Sequence, residues 1–233
     1  MRGIAIAAWL LAASGVWGAE RPKADERLRD SGAVLGEVMA APDRGIPQDL
    51  LAKAQCVIVI PAVKQAAFLI GGEYGRGFAE CRNASGTGWG APAGMKLEGG
   101  SVGFQIGGSD TDLILLVMNR RGMEKLLSDK VTLGAGASVA AGPVGRSANV
   151  ETDVEMHAEM LAWSRSKGLF AGVALNGATL RPDRNRDAEL YGRRTGTREI
   201  LMGNMAPPPA ARPLIAELDR YSMRSNSADR VAH

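Results

Sequence analysis

Two cysteines and two histidines are all that this chain offers for zinc. A structural or catalytic zinc centre takes three or four such ligands, so the count nearly excludes one. Aromatic residues are scarce too, at 5%, so the core has to be built mostly from Val, Ile, Leu, Ala and Met. Charge of one sign is not in excess: the net value is +3, too weak to argue for nucleic acid. The glycine clusters at 71–77 and 134–145 do not meet G-x-G-x-x-G, and no G-x-x-x-x-G-K-[ST] exists, so nucleotide binding has no support. No repeat of the 20–50-residue kind signals a solenoid. Nothing calls for a cofactor.

What the chain does have is glycine: 30 residues in 233, without a collagen-like period and concentrated in strand-like segments. The stretch from Leu97 to Val117 reads as two strands and a tight reversal. Val102, Phe104 and Ile106 alternate with Gly103, Gln105 and Gly107, the period of a strand with one buried face. Gly107-Gly108-Ser109-Asp110 supplies the turn. Leu113 to Val117 is a continuous apolar run, as expected of a strand covered on both sides. Many short strands with little helix between them favour antiparallel pairing over βαβ crossovers. The expected fold is α+β: one domain with a twisted, barrel-like, antiparallel Gly-rich sheet and flanking helices.

The N-terminus carries a basic start at Arg2, an apolar run from Ile4 to Trp17 and the small residues Gly18-Ala19. The run is short for a membrane span and has the form of a secretory signal over about residues 1–19. It predicts a periplasmic or secreted protein. In an oxidising compartment Cys56 and Cys81, at the ends of consecutive strand candidates, stand equally as a disulfide or as two buried thiols.

Residues 24–40 space Leu28, Val34, Leu35 and Val38 on one helical face, which packing on the chain's own sheet explains better than a membrane surface does. A second short helix spans Gln48 to Ala54. Strands are expected at Cys56–Ile60, stopped by Pro61, at Ala66–Ile70 and at Tyr74–Glu80. Arg120–Ser128 reads as a helix, Ala158–Ser164 and Leu169–Leu175 as strands, and Arg186–Tyr191 and Thr197–Leu201 as helices. The domain is expected over 24–205. Residues 206–233 form a proline-rich boundary, a short helix marked by Leu214, Ile215 and Leu218, and a polar tail.

Gly99-Gly100-Ser101-Val102-Gly103 matches G-x-S-x-G, but that motif needs a strand, a sharp turn and a helix, and the residues after Ser101 read as strand. A Ser101–His157–acid hydrolase therefore ranks third among the functions considered. Asp110 and Asp112, or Glu151, Asp153 and Glu155, lack the spacing of a calcium loop and suit turns and solvated faces. Arg181, Arg184, Arg186, Arg193, Arg194 and Arg198 outnumber Asp183, Asp187 and Glu189 nearby. Guanidinium groups bind phosphate well, and a cluster beside an apolar sheet suits anionic lipid head groups. Lys64, Arg76 and Lys96 beside the Gly-rich strands form a second basic patch.

A set of motifs in order through residues 30–205 resembles the SYLF family, also called the lipid-binding SYLF or yeast-type actin-binding domain. They are Ile58-Val59-Ile60-Pro61, Lys64, Gly71-Gly72-Glu73-Tyr74-Gly75-Arg76-Gly77, Trp89-Gly90-Ala91-Pro92 and Gly103-Phe104-Gln105-Ile106-Gly107. Further along come Leu133-Gly134, Ala140-Ala141-Gly142-Pro143-Val144-Gly145, Ser166-Lys167-Gly168-Leu169-Phe170-Ala171-Gly172 and Tyr191-Gly192. The family often has Ser where this chain has Gly90, and Asn where it has Asp187. The resemblance, with the leader, reads as an exported bacterial member. It implies non-enzymatic binding of phospholipid, with phosphoinositides favoured and actin association known among eukaryotic relatives; export argues against actin as a partner here. Anionic phospholipid at an envelope membrane is the expected ligand, with a structural or protein-interaction role in the envelope as the alternative. The basic candidates for the lipid site are Lys64, Arg76, Lys96, Arg181, Arg184, Arg186, Arg193 and Arg194.

Overall fold

Four strands lie in the middle of the molecule with apolar residues on both faces, and everything else is arranged around them. The computed structural model describes residues 23–41, 44–66, 72–83, 85–86, 88–99, 110–145, 157–166 and 168–222. The predicted strand over Val102–Gly107, Ser101, the segment 67–70, Glu151, Asp153, Glu155 and the leader lie outside them. The described elements are α1 (Ala24–Met39), α2 (Gln48–Lys53), β1 (Cys56–Ala66), β2 (Gly72–Cys81), β3 (Ala93–Glu98), β4 (Thr111–Val117) and α3 (Arg120–Leu126). They continue with β5 (Val131–Thr132), β6 (Val139–Ala141), β7 (Met160–Ser166), β8 (Leu169–Gly172) and β9 (Thr179–Pro182). The last are α4 (Arg184–Tyr191), α5 (Thr197–Met202) and α6 (Arg212–Tyr221).

The strands form one sheet in the order β5-β9-β3-β2-β1-β4-β7-β6, with β8 also paired to β7. It is strongly curled into a half-barrel with helices at its flanks, an α+β domain. Connectivity requires the curl. β5 and β6 stand at opposite ends of the strand order, yet only residues 133–138 separate them in sequence. That chain spans at most about 20 Å when extended. Residues 173–178 make a second short crossing, from β8 to β9. The two are tied together by Leu133 N–H to the Ala178 carbonyl at 2.8 Å and Gly177 N–H to the Leu133 carbonyl at 2.9 Å. The first crossing also delivers β6 parallel to β7, where antiparallel pairing is expected throughout.

Alternation along each central strand divides the core in two. The inner cluster takes Cys56, Ile58, Ile60, Leu113, Leu115, Val117, Met95 and Leu97, and is closed by Leu133, Val173 and Leu175 of the crossings. The outer cluster takes Val57, Val59, Ile114, Leu116, Phe78 and Trp163 beneath Leu28, Leu35 and Val38 of α1 and Leu214 and Leu218 of α6. The apolar face of α1 is thus spent on the sheet and on α6. Cys56 and Cys81 are direct partners across β1 and β2, with Cα atoms 3.9 Å apart, and are disulfide-bonded.

β1 does not stop at Pro61. It bulges there, shifting register against β2 between Val59 and Lys64 and against β4 between Ile60 and Val63, and runs on to Ala66. A bulge is where a residue without an N–H fits a ladder. Ala62, at φ 50°, is steadied by its N–H to Asp112 Oδ1 at 3.0 Å. Arg165 holds the same carboxylate from β7 at 2.7 Å.

Candidate functional site

The outer face of the sheet is not helix-covered throughout. On β3 the inward residues Met95 and Leu97 alternate with Gly94, Lys96 and Glu98 on the outer face. Strand register then sets three cations in a row across three strands: Arg76 on β2 opposite Lys96 on β3, and Lys96 opposite Arg181 on β9. Lys64 on β1 faces Tyr74, two residues before Arg76, and extends the row toward the middle of the sheet. Lys64 is exposed and Tyr74 is 41% exposed.

Each cation of the row is held differently. Arg76 donates from Nε to the Tyr74 hydroxyl, lies 5.4 Å over that ring, and places its guanidinium 3.2 Å from Asp183 Oδ2. Burial works against its charge, but Tyr74 and Asp183 outweigh it and hold the guanidinium above its ordinary range. Lys96 donates to Glu98 Oε1 at 2.8 Å. That hydrogen bond, against some burial, keeps the Glu98 carboxyl below the usual carboxylate range. Arg181 lies 3.9 Å from Glu98 Oε2, beyond hydrogen-bond distance, and its buried Nε has no acceptor.

β9 runs into α4, and this junction makes a cleft of about 380 Å³ lined by Lys96, Arg181, Asp183, Arg184, Asn185 and, from the turn after α3, Asp129. Asp183 is the N-cap of α4, accepting from the Arg186 N–H at 3.4 Å, while its own N–H binds the Gly94 carbonyl at 2.8 Å. Gly94 is required by this close seat of α4 on β3: a Cβ there would stand 2.9 Å from the Asp183 carbonyl oxygen. Arg184 pairs with Asp129 at 2.6 Å across the cleft mouth, with the two side chains 67% and 86% exposed.

Beneath the cleft floor Asp187 is wholly buried. Its Oδ1 accepts the Gly94 N–H at 2.6 Å and its Oδ2 has no partner. Burial, eased by that hydrogen bond and reinforced by nearby Asp183, pushes its carboxyl up to about 7. Asp187 therefore packs inside the protein and carries a proton much of the time at neutral pH. Glu80 is the second such acid: fully buried, both oxygens unpartnered, and raised well above its usual range by burial and then by Asp219.

The structure brings Arg76, Lys96, Arg181 and Arg184 together, with Lys64 at the end of the row. It separates the others. Arg186 is nearly buried and turned to Glu189 at 2.6 Å. Arg193 pairs with Glu199 at 3.0 Å beyond the end of α4, and Arg194 beside it is exposed. Asp112 serves the Arg165 clamp, and among the described residues no group of three or more His, Cys, Asp or Glu could hold a metal ion. Asp129 and Glu98 were not among the residues singled out in the sequence, and Asp183 stood there only as an acid beside the arginine cluster. Only Asp183 had a visible signal, as an acid in N-cap position before a helical segment.

A family model described as "Las17-binding protein actin regulator", Ysc84, matches residues 98–221, just over half of the chain. LAS seventeen-binding protein 3 of Saccharomyces cerevisiae is 36% identical over 181 residues, 76% of this chain and 39% of that protein. SH3 domain-containing YSC84-like protein 1 of Xenopus laevis is 32% identical over 183 residues, 78% of this chain and 54% of that protein. The human protein of that name is 29% identical over 214 residues, 91% and 61% respectively. The chain thus spans about two fifths to three fifths of these relatives' length. Their names are those of binding and regulatory proteins rather than enzymes. They also correct one expectation. Actin was set aside as a partner because of the leader, yet the matched family is described as an actin regulator, and the leader lies outside the described residues. The chain belongs to the Ysc84 (SYLF) family.

Proposed function

We propose that this protein binds anionic phospholipid at a membrane surface, without catalysis, through the outer sheet face that carries Lys64, Arg76, Lys96 and Arg181. The observation that supports this is the cross-strand row of cations beside an open polar cleft. The carboxylates present do not defeat it. Exposed ion pairs such as Arg184–Asp129 contribute about 0–1 kcal/mol, so phosphate replaces them at small cost. Each Lys or Arg near an anionic surface adds about 1 kcal/mol, falling off within about 8–10 Å at physiological salt. Among the described residues no helix is long and apolar enough to cross a membrane.

Flotation with vesicles of phosphatidylcholine, with and without anionic lipid, tests the reading. Binding that needs anionic lipid and weakens with salt is the expected result; no difference at low salt overturns it. We also propose that residues 1–19 are a leader removed on export to an envelope compartment. Mass spectrometry of the protein made in a bacterial host would then give an N-terminus near residue 19 or 20, and an intact Met1 would refute the leader. A second reading, binding to an actin-regulating protein, is supported by the family description and the relatives' names. It predicts cosedimentation with actin filaments or capture of such a regulator in vitro.

A further inference from the structure

The cleft between β9 and the turn after α3 is not simply basic. Lys96, Arg181 and Arg184 line it together with two carboxylates, Asp129 and Asp183, so cationic and anionic groups share one small space. A polyphosphorylated head group would meet both acids. A head group with phosphate alone, on drawing Arg184 to itself, would leave Asp129 without a cation. We infer that the cleft takes a phosphodiester carrying an amino-acid group: phosphate, carboxylate and ammonium on one small scaffold, the head-group chemistry of an anionic aminophospholipid such as phosphatidylserine. This rests on the lipid reading above and adds a preference to it.

Each charge of such a ligand has a counterpart. The Arg181 side chain is 40% exposed and stays 3.9 Å from Glu98, and Lys96 lies directly opposite it across the strand pair, so the two form the phosphate side. Charge-assisted hydrogen bonds to phosphate are the strong kind, and a guanidinium suits them in geometry. Arg184 and Asp129 already form an ion pair at the mouth, 2.6 Å apart and exposed to solvent. A ligand with carboxylate and ammonium on one carbon exchanges with that pair in kind: its carboxylate takes Arg184 and its ammonium takes Asp129. Asp183 is engaged by Arg76 at 3.2 Å and by its cap on α4, so it holds the wall in place. With Arg76 and Glu98, which pair with lining residues, four cations (Arg76, Lys96, Arg181, Arg184) stand against three acids (Glu98, Asp129, Asp183) and leave one positive charge, which matches the single net negative charge of a serine phosphodiester. At about 380 Å³ the cleft lies at the lower end of the range for small-ligand sites, roughly 300–1,000 Å³.

The test compares phosphatidylcholine vesicles carrying equal mole fractions of phosphatidylserine, phosphatidylglycerol or phosphatidylinositol, with soluble glycerophosphoserine as competitor. Binding to the serine lipid is expected to be about tenfold tighter than to the glycerol lipid, the effect of one added charge-assisted hydrogen bond. Asp129→Asn, at an exposed position, is expected to bring serine-lipid binding down to the glycerol-lipid level while thermal unfolding stays that of the parent. Lys96→Gln is expected to lower binding to all three. Equal binding to serine and glycerol lipid, or a serine preference that survives Asp129→Asn, overturns this inference and leaves the lipid reading standing. Binding of free glycerophosphoserine without any vesicle binding keeps the head-group chemistry and overturns the membrane. Failure of both overturns the two together.

Discussion

Strands β1 and β4 differ from β3 and β9 in what they leave uncovered. Residues Cys56 to Ile60 and Leu113 to Val117 are buried on both faces, the inner face by the half-barrel and the outer by α1 and α6. β3 and β9 bury their inward residues Ala93, Met95, Leu97 and Leu180 and, under α4, the outward Gly94, while Lys96, Glu98 and Arg181 on that other face stay partly exposed. The centre is specified by packing and the corner by charge. Substitutions at the centre should therefore register as lost stability, and substitutions at the corner as lost binding.

The largest effect is expected at Gly77. A Cβ there would lie 1.9 Å from the Val59 carbonyl oxygen and 2.6 Å from the Ile60 Cα, and neither backbone atom can move without breaking the β1–β2 ladder. Gly77→Ala is expected to cost more than about 3 kcal/mol or to abolish folding, against less than about 0.5 kcal/mol for Lys96→Gln in urea unfolding. Similar losses from the two would erase the distinction. Next comes the bridge between Cys56 and Cys81, which joins residues separated by 25 positions within the same buried ladder. Replacing both by alanine is expected to cost about 3 kcal/mol, chiefly by freeing the unfolded chain, with the far-UV spectrum unchanged.

The same contrast explains what the sequence made legible. The continuous run Leu113–Val117 announced a strand covered on both sides, and it is one. The spacing of Leu28, Val34, Leu35 and Val38 announced a helix that packs on its own sheet. Both signals come from apolar periodicity, which local sequence carries. The passage of β1 through Pro61 was hidden because a bulge depends on the neighbouring strands' registers. β5 and β9, two and four residues long, are too short to show a period and exist through pairing with distant partners. At the corner the basic residues were visible singly, but the row Arg76–Lys96–Arg181 is a product of register, and Asp129 reaches the cleft because β5, just after it, pairs with β9.

An intermediate effect belongs to Asp187, under the seam between the two regions. Its carboxyl is raised to about 7 in the folded protein, against an ordinary value near 3.8. Below that ordinary value both states hold the proton. From about pH 4 to about pH 7 the unfolded chain releases it and the folded one keeps it, so stability falls as pH rises, by up to roughly 1.4 kcal/mol per unit, and levels off above. Glu80 is raised by burial and pulls in the same direction, so the parent protein carries both slopes. Asp187→Asn retains an oxygen for the Gly94 N–H and removes one slope. Stability measured from pH 5 to 8 is expected to fall less steeply in the variant, and a parallel profile would show that Asp187 ionises normally.

The smallest effect on folding, and the sharpest division of roles, is expected at Arg184. Its ion pair with Asp129 lies in solvent, so Arg184→Gln is expected to change unfolding by less than about 0.5 kcal/mol. Arg186, two residues on, is nearly buried against Glu189, whose carboxylate in turn accepts the Ala24 N–H at the start of α1 at 2.8 Å. Arg186→Gln is expected to loosen that link and lower stability by about 1 kcal/mol. In vesicle binding the order reverses: Arg184→Gln weakens it and Arg186→Gln, measured at a temperature where it stays folded, does not. Two arginines in one helical turn separate in this way because the fold turns one into the cleft and the other onto Glu189 of the same helix. If both lose binding equally, bulk positive charge draws the protein to lipid and the cleft adds nothing of its own.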